Sequence, residues 1–207
     1  MKRKEKTVGF IGLSAVLLLA TALLTFGALN KDFSFLNDFI SKLGAKGQPN
    51  ALWFNLIGFM TVGILLFIFG FSYGKLLKDK LLALLLSLFG VGFAFTAIPA
   101  DMALLEATAS KAHTLAICLG LASWLFGLSR LGFNKQLHQK IRNRANVTAV
   151  LLILAILAFV LGIWSMPITH RLVFGIVFGW TTITSLDLIY KTGGQISPSE
   201  PVPTLRR

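Results

Sequence analysis

Six apolar runs constrain this chain more than any motif does: Val8 to Leu29, Ala51 to Gly74, Leu81 to Ile98, Ala112 to Phe133, Val147 to Ser165 and Leu172 to Tyr190. Each is near the ~20 residues that an α-helix needs to cross a bilayer. The gaps between them are sorted by charge. The first, third and fifth gaps hold Lys31, Lys42, Lys46, Lys111 and Arg171, which leaves fifteen of the twenty lysines and arginines to the N-terminus, the second and fourth gaps and the C-terminal stretch. Basic residues are retained on the cytoplasmic side of a membrane. Residues 1–192 are therefore expected to form an all-α integral membrane protein of six transmembrane helices, in the cell (plasma) membrane, with both termini cytoplasmic.

Composition supports lipid as the solvent. With 55% hydrophobic and 14% charged residues, a chain of 207 residues has too little polar surface to cover a soluble globule. The net charge of +12 does not point to nucleic acid, because the bases sit beside the span ends: Lys2, Arg3, Lys4 and Lys6, then Lys75, Lys78 and Lys80, then Arg130, Lys135, Lys140, Arg142 and Arg144. Topology and attraction to anionic head groups account for them, so the expected partners are membrane lipids. Thr25 and Gly27 late in the first run imitate a signal-peptide cleavage site, but the apolar core is too long for one and reads as an uncleaved span. Cys118 is the only cysteine, which excludes a disulfide framework and a thiolate metal cluster. Trp53 and Trp164 fall at outer span ends and Tyr73 and Tyr190 at inner ends, as interfacial belts do; Trp124 and Trp180 lie deeper. Residues 193–207, with two glycines and three prolines, read as a disordered cytoplasmic tail.

In the first gap Phe33, Leu36, Ile40 and Leu43 recur at helical spacing, with Asp32 placed as N-cap and Gly44 as stop. This predicts a short amphipathic helix on the outer membrane surface. Small residues form two stripes on the third and fourth spans: Ser87, Gly90, Ala94 and Ala97 leading to Asp101, and His113 followed by Ala116, Gly120, Ser123 and Gly127. Such stripes allow close helix approach, either to each other or to a third helix.

Polar groups that hydrocarbon penalises gather on the outer side: Asp38, Ser41, Asn50, Asn55, Asp101, Glu106, His113, His170 and Arg171. Ionisable residues inside a membrane are functional candidates because each is costly unless paired or wet, although that cost is small near the interface. Each also has an ordinary structural role open to it. Asp38 can pair with Lys42 at i,i+4, Asn55 can bond a neighbouring helix, Asp101 can cap a short helix over Met102 to Ala109, and Asp187 can pair with Lys191. Taken together, Asp38, Ser41, Asn55, Asp101 and His113 are the candidate ligand-binding set, because the surface helix and the hairpin could close around one pocket.

The ordered pattern Asp38-Phe39-Ile40-Ser41-Lys42-Leu43-Gly44, then Asn55 with Gly58, then Pro99-Ala100-Asp101, then His113, resembles the bacterial and archaeal family catalogued as domain of unknown function 998. The resemblance runs from Phe33 to Tyr190. It implies a multi-pass membrane protein with these positions as the family's polar signature, and no assigned activity. Alkaline ceramidases, which are intramembrane zinc hydrolases, offer a second comparison, but their three-histidine site is excluded here because His138 lies in an inner loop, a membrane thickness from His113 and His170. A two-histidine site completed by Asp101 would suit zinc, yet no metal-binding spacing supports it, and neither a metal nor another cofactor is expected. The first functional expectation is an outward-facing interfacial pocket that binds a lipid head group or small polar ligand. The alternative is a membrane-embedded hydrolase in which Asp101 orients His113 as general base. A small-solute transporter ranks third, since spans one to five carry no charge near the midplane. Reporter enzymes active only outside the cytoplasm are expected to work when fused near Ala45 and Ala107 and to be silent near Leu137 and Gly194; activity at Leu137 would overturn the map.

Overall fold

The computed structural model describes residues 2–101, 104 and 107–190. Six main helices follow one another: α1 (Lys2–Leu29), α2 (Ala51–Leu76), α3 (Lys80–Phe95), α4 (Thr108–Phe133), α5 (Gln139–Val160) and α6 (Met166–Tyr190). No strand occurs among the described residues. All except α3 are long and apolar enough to cross a membrane. With 16 residues, α3 is about 24 Å long, somewhat less than a hydrocarbon core. It stops at Phe95 rather than Ile98, where the Thr96 hydroxyl donates to the Phe93 carbonyl and Pro99 follows. At its other end Asp79 caps the helix, accepting from the Leu82 N–H at 3.0 Å. The proposed tail at 193–207 lies outside the described residues, as do Glu106 and Lys191.

Each helix packs on its chain neighbours and α6 closes back on α1, so the six form a ring in sequence order. The tightest seam joins α2 to α3. A Cβ on Gly63 would strike the Ala94 backbone, one on Gly70 the Leu86 backbone at 2.6 Å, one on Gly74 the Ala83 backbone, and one on Gly90 the Phe67 backbone. The small-residue stripe of the third span thus faces α2. The stripe of α4 meets a different face of α3, with Gly120 against Gly92 and Phe89, and Gly127 against Leu86. Across the middle of the ring Trp124 of α4 and Trp180 of α6 meet edge to face at 5.8 Å, and Phe69 and Tyr73 of α2 and Phe89 of α3 pack around them. Tyr73 is therefore a core residue, only 2% exposed, and not part of an interfacial belt.

Two local expectations are corrected. Between α1 and α2 there is no continuous amphipathic helix: turns lead into one short 3-10 helix, Ile40–Gly44. Asn30 organises its start, not Asp32, by accepting the Asp32 N–H at its Oδ1 and donating from Nδ2 to Gln48. Phe33, Ile40 and Leu43 are buried as the apolar spacing implies, but Leu36 faces outward, 76% exposed. The last helix begins at Met166, with Pro167 in its first turn, well before Leu172; α5 ends at Val160, just ahead of Gly162 at a φ of +70°. Asp187 is bonded by Lys140 at 3.2 Å and lies 2.8 Å from Arg144, which ties α5 to α6, while the Lys191 expected beside it lies outside the described residues.

Leucine at Gly63 or Gly120 is expected to force backbones apart and to destabilise the protein by about 1–3 kcal/mol. Ala122 is exposed on α4, and Ala122→Leu should leave the melting temperature in detergent unchanged. Equal melting of all three variants would show that the seams tolerate side chains.

Candidate functional site

The segment between α1 and α2 is fastened across one end of the ring by polar contacts to four neighbours. Arg171, one turn into α6, uses its whole guanidinium on carbonyls: Nε donates to Phe35 at 2.6 Å, Nη2 to Asp38 at 2.6 Å and Ser34 at 3.4 Å, and Nη1 to Pro167 at 2.7 Å. Asn55 of α2, 4% exposed, donates from Nδ2 to the Gly44 carbonyl at 2.8 Å. Gly44 is required there, since a Cβ would overlap Asn55 Oδ1. The Lys46 N–H donates to the Ala100 carbonyl at 2.9 Å, and its ammonium lies 3.6 Å from Asp101. Asn30 and Gln48 close the base of the segment, as described above.

Asp38 turns inward on this segment. It accepts from Lys42 Nζ at 2.8 Å and from the Ser34 N–H at 2.7 Å. Burial alone would raise its carboxyl, but the Lys42 and Ser34 hydrogen bonds and the nearby charges of Lys42 and Arg171 outweigh that and hold it below the usual carboxylate range. Ser41 sits half-buried on the same 3-10 helix. Asp101 accepts the Leu104 N–H at Oδ1, 3.2 Å away, while its own N–H donates to Ser110 Oγ at 2.9 Å. The short helix expected over Met102 to Ala109 falls largely outside the described residues, at Met102, Ala103, Leu105 and Glu106, and α4 begins at Thr108.

His113 is oriented by a backbone group. Its Nδ1 lies 3.0 Å from the Ile98 carbonyl; a carbonyl only accepts, so Nδ1 carries the proton and a neutral ring presents Nε2 as acceptor. The Asp101 carboxylate, expected in that place, lies 3.6 Å from Lys46 Nζ and accepts the Leu104 N–H. Thus Asp38, Asn55, Asp101 and His113 each have a different local partner, and what they share is the task of holding the segment and the α3–α4 connection together.

A different set converges beneath the segment. His170 of α6 lies with its ring 5.8 Å from Phe39 and 4.7 Å from Phe174, and its buried Nδ1 has no hydrogen-bond partner among the described residues. Phe59 bridges from Phe93 to His113, and Phe93 continues to Phe174. Below His170 opens an apolar cavity of about 350 Å³ between α4, α5 and α6, floored by α3. Phe89, Phe93, Val173 and Val177 of its wall are buried, while Ile156, Val160 and Met166 at its rim are exposed, so it opens sideways toward lipid. Along α6 it spans Met166 to Phe178, about 18 Å of helix. Among the described residues no three His, Cys, Asp or Glu side chains are grouped to hold a metal ion.

Helices of this length and apolarity, ringed around an aromatic core, define a multi-pass membrane protein. The chain matches the model of the family described as protein of unknown function (DUF998) over residues 13–187, from within α1 to near the end of α6, and belongs to that family. It matches none of the curated proteins and none of the solved structures.

Sequence reasoning set aside the two residues that matter most for this geometry. His170 and Arg171 read as outer-gap polar groups, and their signal was available: an arginine with no acidic residue within a turn must find other acceptors. Because the Asp38 carboxyl is depressed in the folded protein, its stabilisation is present in full above the unfolded carboxylate value and is lost as pH falls through the folded one. Asp38→Asn is expected to melt below the parent at neutral pH, with the gap narrowing below about pH 4. Thermal unfolding in detergent across a pH series checks this; a gap independent of pH would remove the carboxylate from the account.

Proposed function

We propose that this protein crosses the plasma membrane six times with both termini cytoplasmic, and that it binds a membrane lipid at its outward-facing end. The lipid's tail enters the lateral cavity, and its polar group meets the histidines and the interfacial residues Asp38, Ser41, Asn55 and Asp101 along the covering segment. The observation that carries this reading is the apolar cavity itself, open at its Ile156, Val160 and Met166 rim and lined at one end by His170. An apolar slot of this kind suits an acyl chain, with the imidazole placed at the end where a polar group would lie. The volume lies at the small end of ligand pockets, which suits a single chain. The short α3 crosses the bilayer in this reading by drawing the membrane thinner around it, at modest cost.

The test is lipid retention. Ile156 and Cys118 line the cavity from exposed positions, so Ile156→Trp and Cys118→Trp fill it without entering the core. Both are expected to lose copurifying lipid in native mass spectrometry while melting like the parent. His170→Phe keeps the ring contacts and removes both nitrogens; it should retain chains but change which head groups are held. A parent that carries no lipid, or variants that carry the same lipid, would refute the reading. Lipid analysis of cells with and without the protein separates binding from turnover, since only turnover changes the lipid species present.

A further inference from the structure

At the opposite, basic end of the ring a second groove lies between the start of α3 and the end of α4. It encloses about 740 Å³. One wall is apolar: Leu81, Phe126 and Phe133 are 47%, 66% and 82% exposed, with Leu85 half-buried behind them. The other wall is polar, made by Arg130, Asn134 and Gln136.

The polar wall is a set of donors held in place by their neighbours. Arg130 Nε donates to Asp79 Oδ2 at 2.6 Å, and this bond fixes the guanidinium plane. Nη1 and Nη2 make no hydrogen bond among the described residues and remain as paired donors. Asn134 accepts the Gln136 N–H at Oδ1, 3.0 Å away, which leaves its Nδ2 unspent; the Gln136 amide is exposed and unbonded among the described residues. Lys80 and Lys135 flank the groove in sequence, both exposed. A guanidinium and two amides match the oxygens of a phosphate, and the apolar wall lies where the chains attached to such a phosphate would run.

The geometry points to this groove as a binding site for an anionic phospholipid, with its phosphate on Arg130, Asn134 and Gln136 and its acyl chains on Phe126, Phe133 and Leu81. Charge complementarity selects this occupant: basic pockets between helices at the membrane surface favour anionic over zwitterionic head groups. The site stands apart from the histidine-headed cavity and does not depend on it.

Thermal unfolding and native mass spectrometry of the full chain in neutral detergent, with added phosphatidylglycerol, phosphatidylcholine or inorganic phosphate, test the assignment. Phosphatidylglycerol is expected to raise the melting temperature and to remain bound, and the other two to do neither. The paired change Asn134→Asp and Gln136→Glu keeps the Asn134 turn and the Arg130–Asp79 bond while making the donor wall acidic; it should weaken phosphatidylglycerol binding about tenfold. Lys4→Glu, an exposed residue of α1, alters the net charge equally and should leave that binding unchanged. Stabilisation by phosphatidylcholine or free phosphate to the same degree, or an equal loss in Lys4→Glu, would overturn the site.

Discussion

Backbone contact between α2 and α3 is the constraint on which the rest of the architecture depends. Lipid tails are as apolar as the helices, so association inside a membrane rests on van der Waals packing instead of on removal of surface from water. Gly63, Gly70, Gly74 and Gly90 supply that packing by letting one backbone settle against the other. With that seam closed, Phe69 and Tyr73 from α2 and Phe89 and Phe93 from α3 face the centre together. Trp124, Trp180, Phe174 and Phe178 then complete the centre from α4 and α6. The aromatic interior is thus a consequence of the glycines as much as of the rings.

The end of the ring under the covering segment is held by another kind of force. Arg171, Asn55 and the Lys46 N–H all bond to carbonyls outside the six main helices, groups that a membrane interface would otherwise leave to water. Such bonds are directional, so the segment is fixed in orientation as well as in place. Phe39 is thereby set against His170, which lines the cavity. Asp38, Asn55 and Asp101 each contribute a bond to that fastening.

The sequence made the helices readable because length and apolarity are additive along a chain, and Gly120, placed on a close-packing stripe, is buried. The small-residue stripes told that something approaches closely, but not what approaches: a missing Cβ carries no address, and the α3 stripe serves α2. The start of α6 was misplaced because His170 and Arg171 look like loop residues when polarity is the only guide, and because Pro167, a helix breaker elsewhere, is at ease in a first turn. The surface helix failed for a related reason, since Asn30 and Asp38 each divert backbone N–H groups into turns. The cavity had no sequence signature at all, as it consists of space between α4 and α6 that neither helix fills.

Residues Asn55–Thr61 of α2 adopt a π-helical winding, and the Thr61 hydroxyl donates to the Leu56 carbonyl at 2.8 Å, five residues back. A wider turn alters angular phase: side chains beyond it point in directions that a uniform 3.6-residue winding would not give. Asn55 and Phe54 can therefore face Gly44 and Phe26 while Gly63, Gly70 and Gly74 still face α3. Loss of a single residue within 55–61 would rotate one half of α2 against the other by about 100°. The two halves could then no longer satisfy both commitments, so this fold's geometry requires the spacing between Asn55 and Gly63, whatever side chains lie between them.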